Sequence, residues 1–113
     1  MHEASITESM LALALEKAIE AKARKIAGIN LVVGELSGVV PDCVQFYFDF
    51  ISKNTLAEGA KLNFETKPIQ IRCRKCSIVF TPSDHKWVCP ECSETSVEIT
   101  SGQECYMESL EVE

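Results

Sequence analysis

Two short cysteine motifs, Cys73-x-x-Cys76 and Cys89-x-x-Cys92, separated by twelve residues, constrain this chain more than any other feature. Each is a tight turn presenting two sulfurs, and the intervening segment is long enough for a hairpin that brings the second turn back to the first. The pattern reads as two knuckles closing on one tetrahedral zinc. Four thiolates leave no open position for water or substrate, so the expected centre is a structural staple and not a catalytic metal. The segment around it, about thirty residues, is too short to bury a sufficient core, so zinc is expected to supply much of its stability.

Charge argues against the nucleic-acid role that a zinc ribbon first suggests. The chain of 113 residues has a formal net charge of −6. Between residues 70 and 102, Arg72, Arg74, Lys75 and Lys86 are balanced by Asp84, Glu91, Glu94 and Glu98. A zinc bound by four thiolates adds two further negative charges, whereas phosphate binding needs a clustered positive surface. A thiol redox protein is the other rival. It would place one motif at a helix start in a thioredoxin-like setting, which neither motif has.

No basic, apolar and small-residue leader pattern opens the chain, and Glu8, Glu16 and Glu20 interrupt the apolar stretch that follows, so a cytoplasmic protein without a membrane span is expected. In a reducing compartment the paired motifs favour metal over disulfides. No P-loop, dinucleotide fingerprint or nucleophile motif is present in the sequence, and nothing in it supports an enzyme.

Hydrophobic periodicity predicts a helix over residues 4–27, with Ile6, Met10, Leu13, Ala14, Ala18 and Ala21 as its stripe, Glu20 and Arg24 as an i,i+4 pair and Gly28 as C-cap. Residues 29–36 read as a strand covered on both faces. Pro41 suits the first turn of a second helix, in which Val44, Tyr47, Phe48 and Ile51 form the core stripe and Phe46 and Phe50 pack alongside. The alternation Leu62, Phe64, Thr66 against Lys61, Asn63, Glu65, Lys67 predicts a half-exposed strand. Within the ribbon, Ile78, Val79, Phe80, Trp87 and Val88 supply a minimal core, Val97 and Ile99 a short strand, and residues 104–113 a last strand. Cys43 and Cys105 are expected to be small buried hydrophobes, and His85 a loop residue able to replace a thiolate.

The N-terminus, Met1-His2-Glu3, offers a second chemistry. A residue as large as His2 is expected to leave Met1 in place with a free α-amine. That amine, the backbone nitrogens of His2 and Glu3 and the His2 imidazole can form fused chelate rings. Four planar nitrogens suit nickel(II) or copper(II). The amine titrates near ~8 and the imidazole near ~6.5 in model peptides, so acid should release such a metal. The plain alternative is a frayed terminal residue, with Glu3 complementing a helix dipole.

Met1-His2-Glu3 opening a helix, Val33-Gly34-Glu35-Leu36-Ser37-Gly38-Val39, the paired knuckles and Ser109-Leu110-Glu111-Val112 together closely resemble the HypA/HybF family of hydrogenase nickel-insertion accessory proteins. The resemblance spans essentially the whole chain. It implies an α+β fold, with two helices packed on a small mixed sheet and an inserted zinc ribbon. The nickel-binding domain would be residues 1–69 completed by strand 103–113, and the zinc-ribbon domain residues 70–102. It implies Ni(II) as transferred cargo at Met1, His2 and Glu3, with His2 as the essential side chain, and structural Zn(II) at Cys73, Cys76, Cys89 and Cys92. The implied partners are a nickel-handling GTPase and the hydrogenase large subunit, with urease maturation proteins served in some members. A monomer or weak homodimer is expected, without nucleic-acid or membrane partners. One departure is visible: some members carry histidines beside the knuckle cysteines, where this chain has Ser77-Ile78 and Ser93-Glu94.

Overall fold

The first helix, α1 (Glu3–Glu20), buries Glu3, Thr7, Met10, Leu11, Ala14 and Ala18 at helical spacing, in a computed structural model that describes residues 3–82 and 87–113. Leu13, expected in the stripe, is 40% exposed. The helix also stops well before residue 27. Lys22 takes a left-handed φ of 57°, its N–H bonds to the Ile19 carbonyl at 3.0 Å, and the Ala23 N–H bonds to the Ala18 carbonyl at 2.9 Å. This pair of bonds is a Schellman termination without glycine. Helix propensity in the alanine-rich run yields to strand pairing: Arg24 and Lys25 donate to the Glu113 carbonyl, and Ile26 donates to Leu56. Arg24 therefore lies outside the helix and Gly28 inside a strand, and an ion pair that the helix does carry is Lys17–Glu20 at 3.9 Å.

That strand, β1 (Ile26–Gly34), starts three residues before the expected position and is buried along nearly its whole length, as a central strand covered on both faces should be. It lies between β2 (Lys61–Lys67) and β6 (Cys105–Val112). Gly28 approaches Lys61 on one side and Glu111 on the other, while Asn30 bonds both Asn63 and Ser109 at 2.9 Å. These pairs run in step with β2 and in opposition with β6, so the sheet is mixed. The parallel β1–β2 connection carries α2 (Pro41–Ile51), as a parallel crossover requires.

Helix α2 enters from an extended Val40, with Pro41 in its first turn. Val44 and Phe48 are buried, and Ile51 packs against the same core. Full burial of a side chain such as Phe48 stabilises by roughly 1.5–3 kcal/mol. The other aromatics depart from expectation: Phe46 and Phe50 are 68% and 71% exposed, and Tyr47 is 38% exposed. At about 100° per residue, positions 46 and 50 face away from 44, 48 and 51.

A second sheet has the order β4-β3-β5, with β3 (Gln70–Cys73) pairing antiparallel to β4 (Val79–Phe80) and to β5 (Val97–Ser101). Its centre is Ile71, fully buried opposite Phe80 and Ile99. Of the expected minimal core, Ile78, Val79 and Val88 are exposed, and Phe80 and Trp87 half-buried. The chain divides into two compact units, one of Met1–Val32, Val39–Glu65 and Cys105–Glu113, the other of Val33–Gly38 and Thr66–Glu104. Within the second unit, Leu36 donates to the Gly102 carbonyl and Gly34 to that of Glu104, both at 2.6 Å. The carboxylates add to this stem: Glu35 accepts from the Ile69 N–H at 2.8 Å and Glu104 from the Gly102 N–H at 2.6 Å.

Candidate metal centre

The two knuckles are built alike. Ser77 donates to the Cys73 carbonyl and Ser93 to the Cys89 carbonyl, both at 2.9 Å, and each serine takes a left-handed φ, 64° and 59°. Each motif is then closed by its first cysteine, with Cys73 donating to Ile78 and Cys89 to Glu94. The repeated Cys-x-x-Cys-Ser signals this turn in the sequence, although the role of the serines is legible only from the backbone.

The turns bring Cys73, Cys76, Cys89 and Cys92 into one cluster whose sulfurs lie within 4.8 Å of one another. Cys73 and Cys92 are 3.5 Å apart across the knuckles, Cys76 and Cys89 3.5 Å, and Cys76 and Cys92 3.8 Å. A tetrahedron with metal–sulfur bonds of 2.3 Å has edges of about 3.8 Å. The donor set therefore fits zinc in number, spacing and softness. Cys73 and Cys89 are buried, Cys92 half-buried and Cys76 exposed, so the cluster faces solvent on one side.

Backbone amides prepare the sulfurs for negative charge. Cys73 Sγ accepts from the Cys76 and Lys75 N–H groups, each at 3.4 Å. The Cys76 amide holds the Cys73 thiol down at about 7 against the effect of burial, with the Lys75 amide assisting. Although the Glu94 amide pulls the other way, burial and the three neighbouring sulfurs push the Cys92 thiol up to about 12. Four crowded thiols thus cannot all ionise on their own. A bound dication is what allows it, so metal binding and proton release are coupled.

Cys43 and Cys105 stand apart from this cluster and are exposed, not the small buried hydrophobes expected. Cys43 falls on the outward side of α2, and Cys105 begins β6, whose side chains are mostly uncovered. Burial still pushes the Cys105 thiol up, because its sulfur is partly screened.

Of the residues expected to hold nickel, Met1 and His2 lie outside the described residues, as does His85. Glu3 is the first residue of α1, and only 8% of it is exposed. Its Oε2 accepts from the Val40 N–H at 3.3 Å, while its carbonyl accepts from the Thr7 hydroxyl at 2.5 Å. Glu3 thereby ties the start of α1 to the entry of α2, which has no side-chain cap of its own. Among the described residues, no helix is long and apolar enough to cross a membrane.

Comparison with known proteins gives this geometry its context. Residues 1–112 match the family model described as hydrogenase/urease nickel incorporation, metallochaperone, hypA. A hydrogenase maturation factor HypA from Dehalococcoides mccartyi is 49% identical over 113 residues, covering all of this chain and 95% of that protein. Another from Caldanaerobacter subterraneus subsp. tengcongensis is 40% identical, with both chains fully covered. A solution structure of a HypA protein superposes with a TM-score of 0.78 at 32% identity, over 99% of this chain and 96% of that one. The solution structure of the Ni metallochaperone HypA from Helicobacter pylori gives 0.69 at 31%, over 99% and 97%. With two helices, small mixed sheets, a four-cysteine metal cluster and a match along its whole length, the chain belongs to the HypA family of metallochaperones for hydrogenase and urease nickel incorporation.

Proposed function

We propose that this chain carries Ni(II) on its N-terminus, through the Met1 amine, the backbone nitrogens of His2 and Glu3 and the His2 imidazole, and delivers it during maturation of a [NiFe] hydrogenase. The observation that carries this reading is the match to a nickel-incorporation family over residues 1–112, which includes the Met1-His2-Glu3 tripeptide. The position of Glu3 supports it. The N–H groups of a helix's first turn have no acceptor within the helix, so deprotonating the Glu3 amide for a metal would break no helical rung. Its side chain meanwhile points to the Val40 amide and keeps the start of α1 in place.

In this proposal Cys73, Cys76, Cys89 and Cys92 hold Zn(II) as the scaffold of residues 70–102, and residues 1–69 with 103–113 form the nickel-carrying part. The chain acts as a carrier and not as an enzyme, in the cytoplasm. Its partners are a nickel-handling GTPase, the hydrogenase large subunit and, by the same chemistry, urease maturation proteins.

Nickel titration of three forms tests the site: the native chain, His2→Ala, and a form with one residue added before Met1. The native chain should show the absorption of square-planar nickel, and both altered forms should lose it. Equally tight binding by the extended form would rule out an amine-based site. All three forms should retain the zinc.

A further inference from the structure

Strand β6 (Cys105–Val112) forms one side of the β2-β1-β6 sheet, and among the described residues no strand lies beyond it. Alternate residues of an antiparallel strand direct their N–H and C=O groups to the same side. About half of the eight residues of β6 therefore offer main-chain groups to a further strand. Edges of this kind are normally blunted by lysine, proline, a bulge or shortness. The opposite edge follows that pattern: β2 begins with Lys61, ends with Lys67 and is followed by Pro68. Residues 105–113 contain no lysine, arginine, proline or glycine, and their charged side chains are Glu108, Glu111 and Glu113. Met107 and Leu110 of β6 are half-buried; its other side chains are exposed, Tyr106 at 46% and Val112 at 43%. Neither the cysteine cluster nor the proposed nickel site uses any of them.

We infer that this edge accepts a basic, extended segment of a different protein, which adds to β6 as a further antiparallel strand. Main-chain pairing supplies the attachment, and the side chains across from β6 select the partner. Ser109 and Glu111 lie on the side of the sheet where Asn30 and Gly28 are. Alternation then puts Tyr106, Glu108, Leu110 and Val112 on the other side. Glutamates thus stand on both sides of the strand, and the partner needs a lysine or arginine facing each. Apolar β-branched residues suit the positions facing Tyr106 and Val112. A second copy of this chain does not fit. Pairing β6 with β6 would bring Glu108, Glu111 and Glu113 of both copies onto one edge with no cation in either strand, and like charges across a strand pair destabilise it. Pairing β6 with β2 of another copy would be head-to-tail, which grows into filaments unless the rotation closes.

Amide NMR spectra of the zinc-loaded full chain, titrated with the peptide acetyl-Val-Lys-Thr-Thr-Lys-Thr-Val-amide, test this. In antiparallel register its lysines face Glu111 and Glu108, and its valines face Val112 and Tyr106. The expected result is saturable binding below about 5 mM peptide, with shifts confined to β6 and its neighbour β1 and with slowed amide exchange along β6. The same peptide with every amide methylated keeps its charge but cannot pair, and it should not bind. Glu108→Lys combined with Glu111→Lys should weaken binding about tenfold without changing the melting temperature, since both side chains are exposed. That variant should instead bind a peptide carrying glutamates in place of the lysines. The proposal is overturned by an absence of saturable binding, by equal binding of the methylated peptide, or by indifference to the charge reversal.

Discussion

Replacing Gly34 with alanine should cost far more than the size of one methyl group suggests, and the cost can be worked from the backbone around it. A Cβ at Gly34 would lie 2.2 Å from the Gly102 carbonyl oxygen, 2.3 Å from its carbon and 2.8 Å from the Gln103 nitrogen. All three are backbone atoms, so no rotamer change relieves the clash. The 102–103 backbone would have to retreat by about 1 Å to reach ordinary contact. That movement stretches the 2.6 Å bonds from Gly34 to Glu104 and from Leu36 to Gly102 beyond useful length. Losing two such bonds costs about 0.5–1.5 kcal/mol each, and overpacking adds about 1–3 kcal/mol. The expected loss is therefore about 4 kcal/mol. Gly38→Ala is the matched control: no atom lies within 4 Å of its added Cβ, but its φ is +78°. It should lose only the left-handed penalty of about 1–2 kcal/mol. Guanidinium unfolding of the zinc-loaded chain, followed by fluorescence of the single tryptophan, Trp87, reads the unit that holds this stem. If Gly34→Ala were no more destabilising than Gly38→Ala, the close backbone approach would be wrong.

Three further outcomes follow from the same structure. Phe48→Ala, at a site 1% exposed, should lose about 3–5 kcal/mol of stability by circular dichroism melts; a loss below 1 kcal/mol would contradict its place in the core. Withdrawing zinc with a strong chelator, or Cys73→Ser, should abolish amide-exchange protection at Ile71 and Arg72 while Leu31 and Val32 stay protected. Persistent protection of β3 in the metal-free chain would show that its core suffices without metal. The Glu104 carboxyl is held below its ordinary value of 4.5, by its own backbone amide first and by the Gly102 N–H next. A lowered carboxylate stabilises above its unfolded pKa and loses that contribution as pH falls through the folded one. The stem should therefore weaken progressively below about pH 4.5, and Glu104→Gln should flatten that dependence; an unchanged acid profile would remove Glu104 from the stem.

How much of this was legible in the sequence depended on whether the deciding interactions were local. The β2 bounds, the start of α2 at Pro41 and the knuckles follow from alternation, a proline and cysteine spacing, all of which act within a few residues. The end of α1 does not. Its alanines favour helix up to Ala27, but Arg24 and Lys25 bond with Glu113 at the other end of the chain, a contact that no window of sequence reveals. The aromatic content of α2 likewise suggested packing on all sides, whereas only Val44, Phe48 and Ile51 meet the core. Cys43 and Cys105 were expected inside because cysteine usually is buried, yet both fall where their elements lack a neighbour. At the metal centre, spacing identifies the four ligand candidates, while the left-handed serines and the amide bonds to sulfur are set by the folded backbone. For His2 the signal was never local chemistry alone; it came from resemblance along the entire chain.

On the proposed function, the two metal chemistries would differ in what they allow to happen next. Four thiols brought within 4.8 Å form a closed set. A metal held there has no vacant position through which a receiving ligand can enter. Such a centre is suited to staying filled, and among the described residues of the second unit the fully buried side chains are Ile71, Cys73 and Cys89. The proposed set of terminal nitrogens would depend on amides that have lost protons. Returning those protons would dismantle it stepwise. Cargo placed at the cysteines would take the fold of the second unit with it on leaving. Cargo placed before α1, as proposed, would leave a helix whose rungs were never involved, so separating the sites would let metal move while the structure remains.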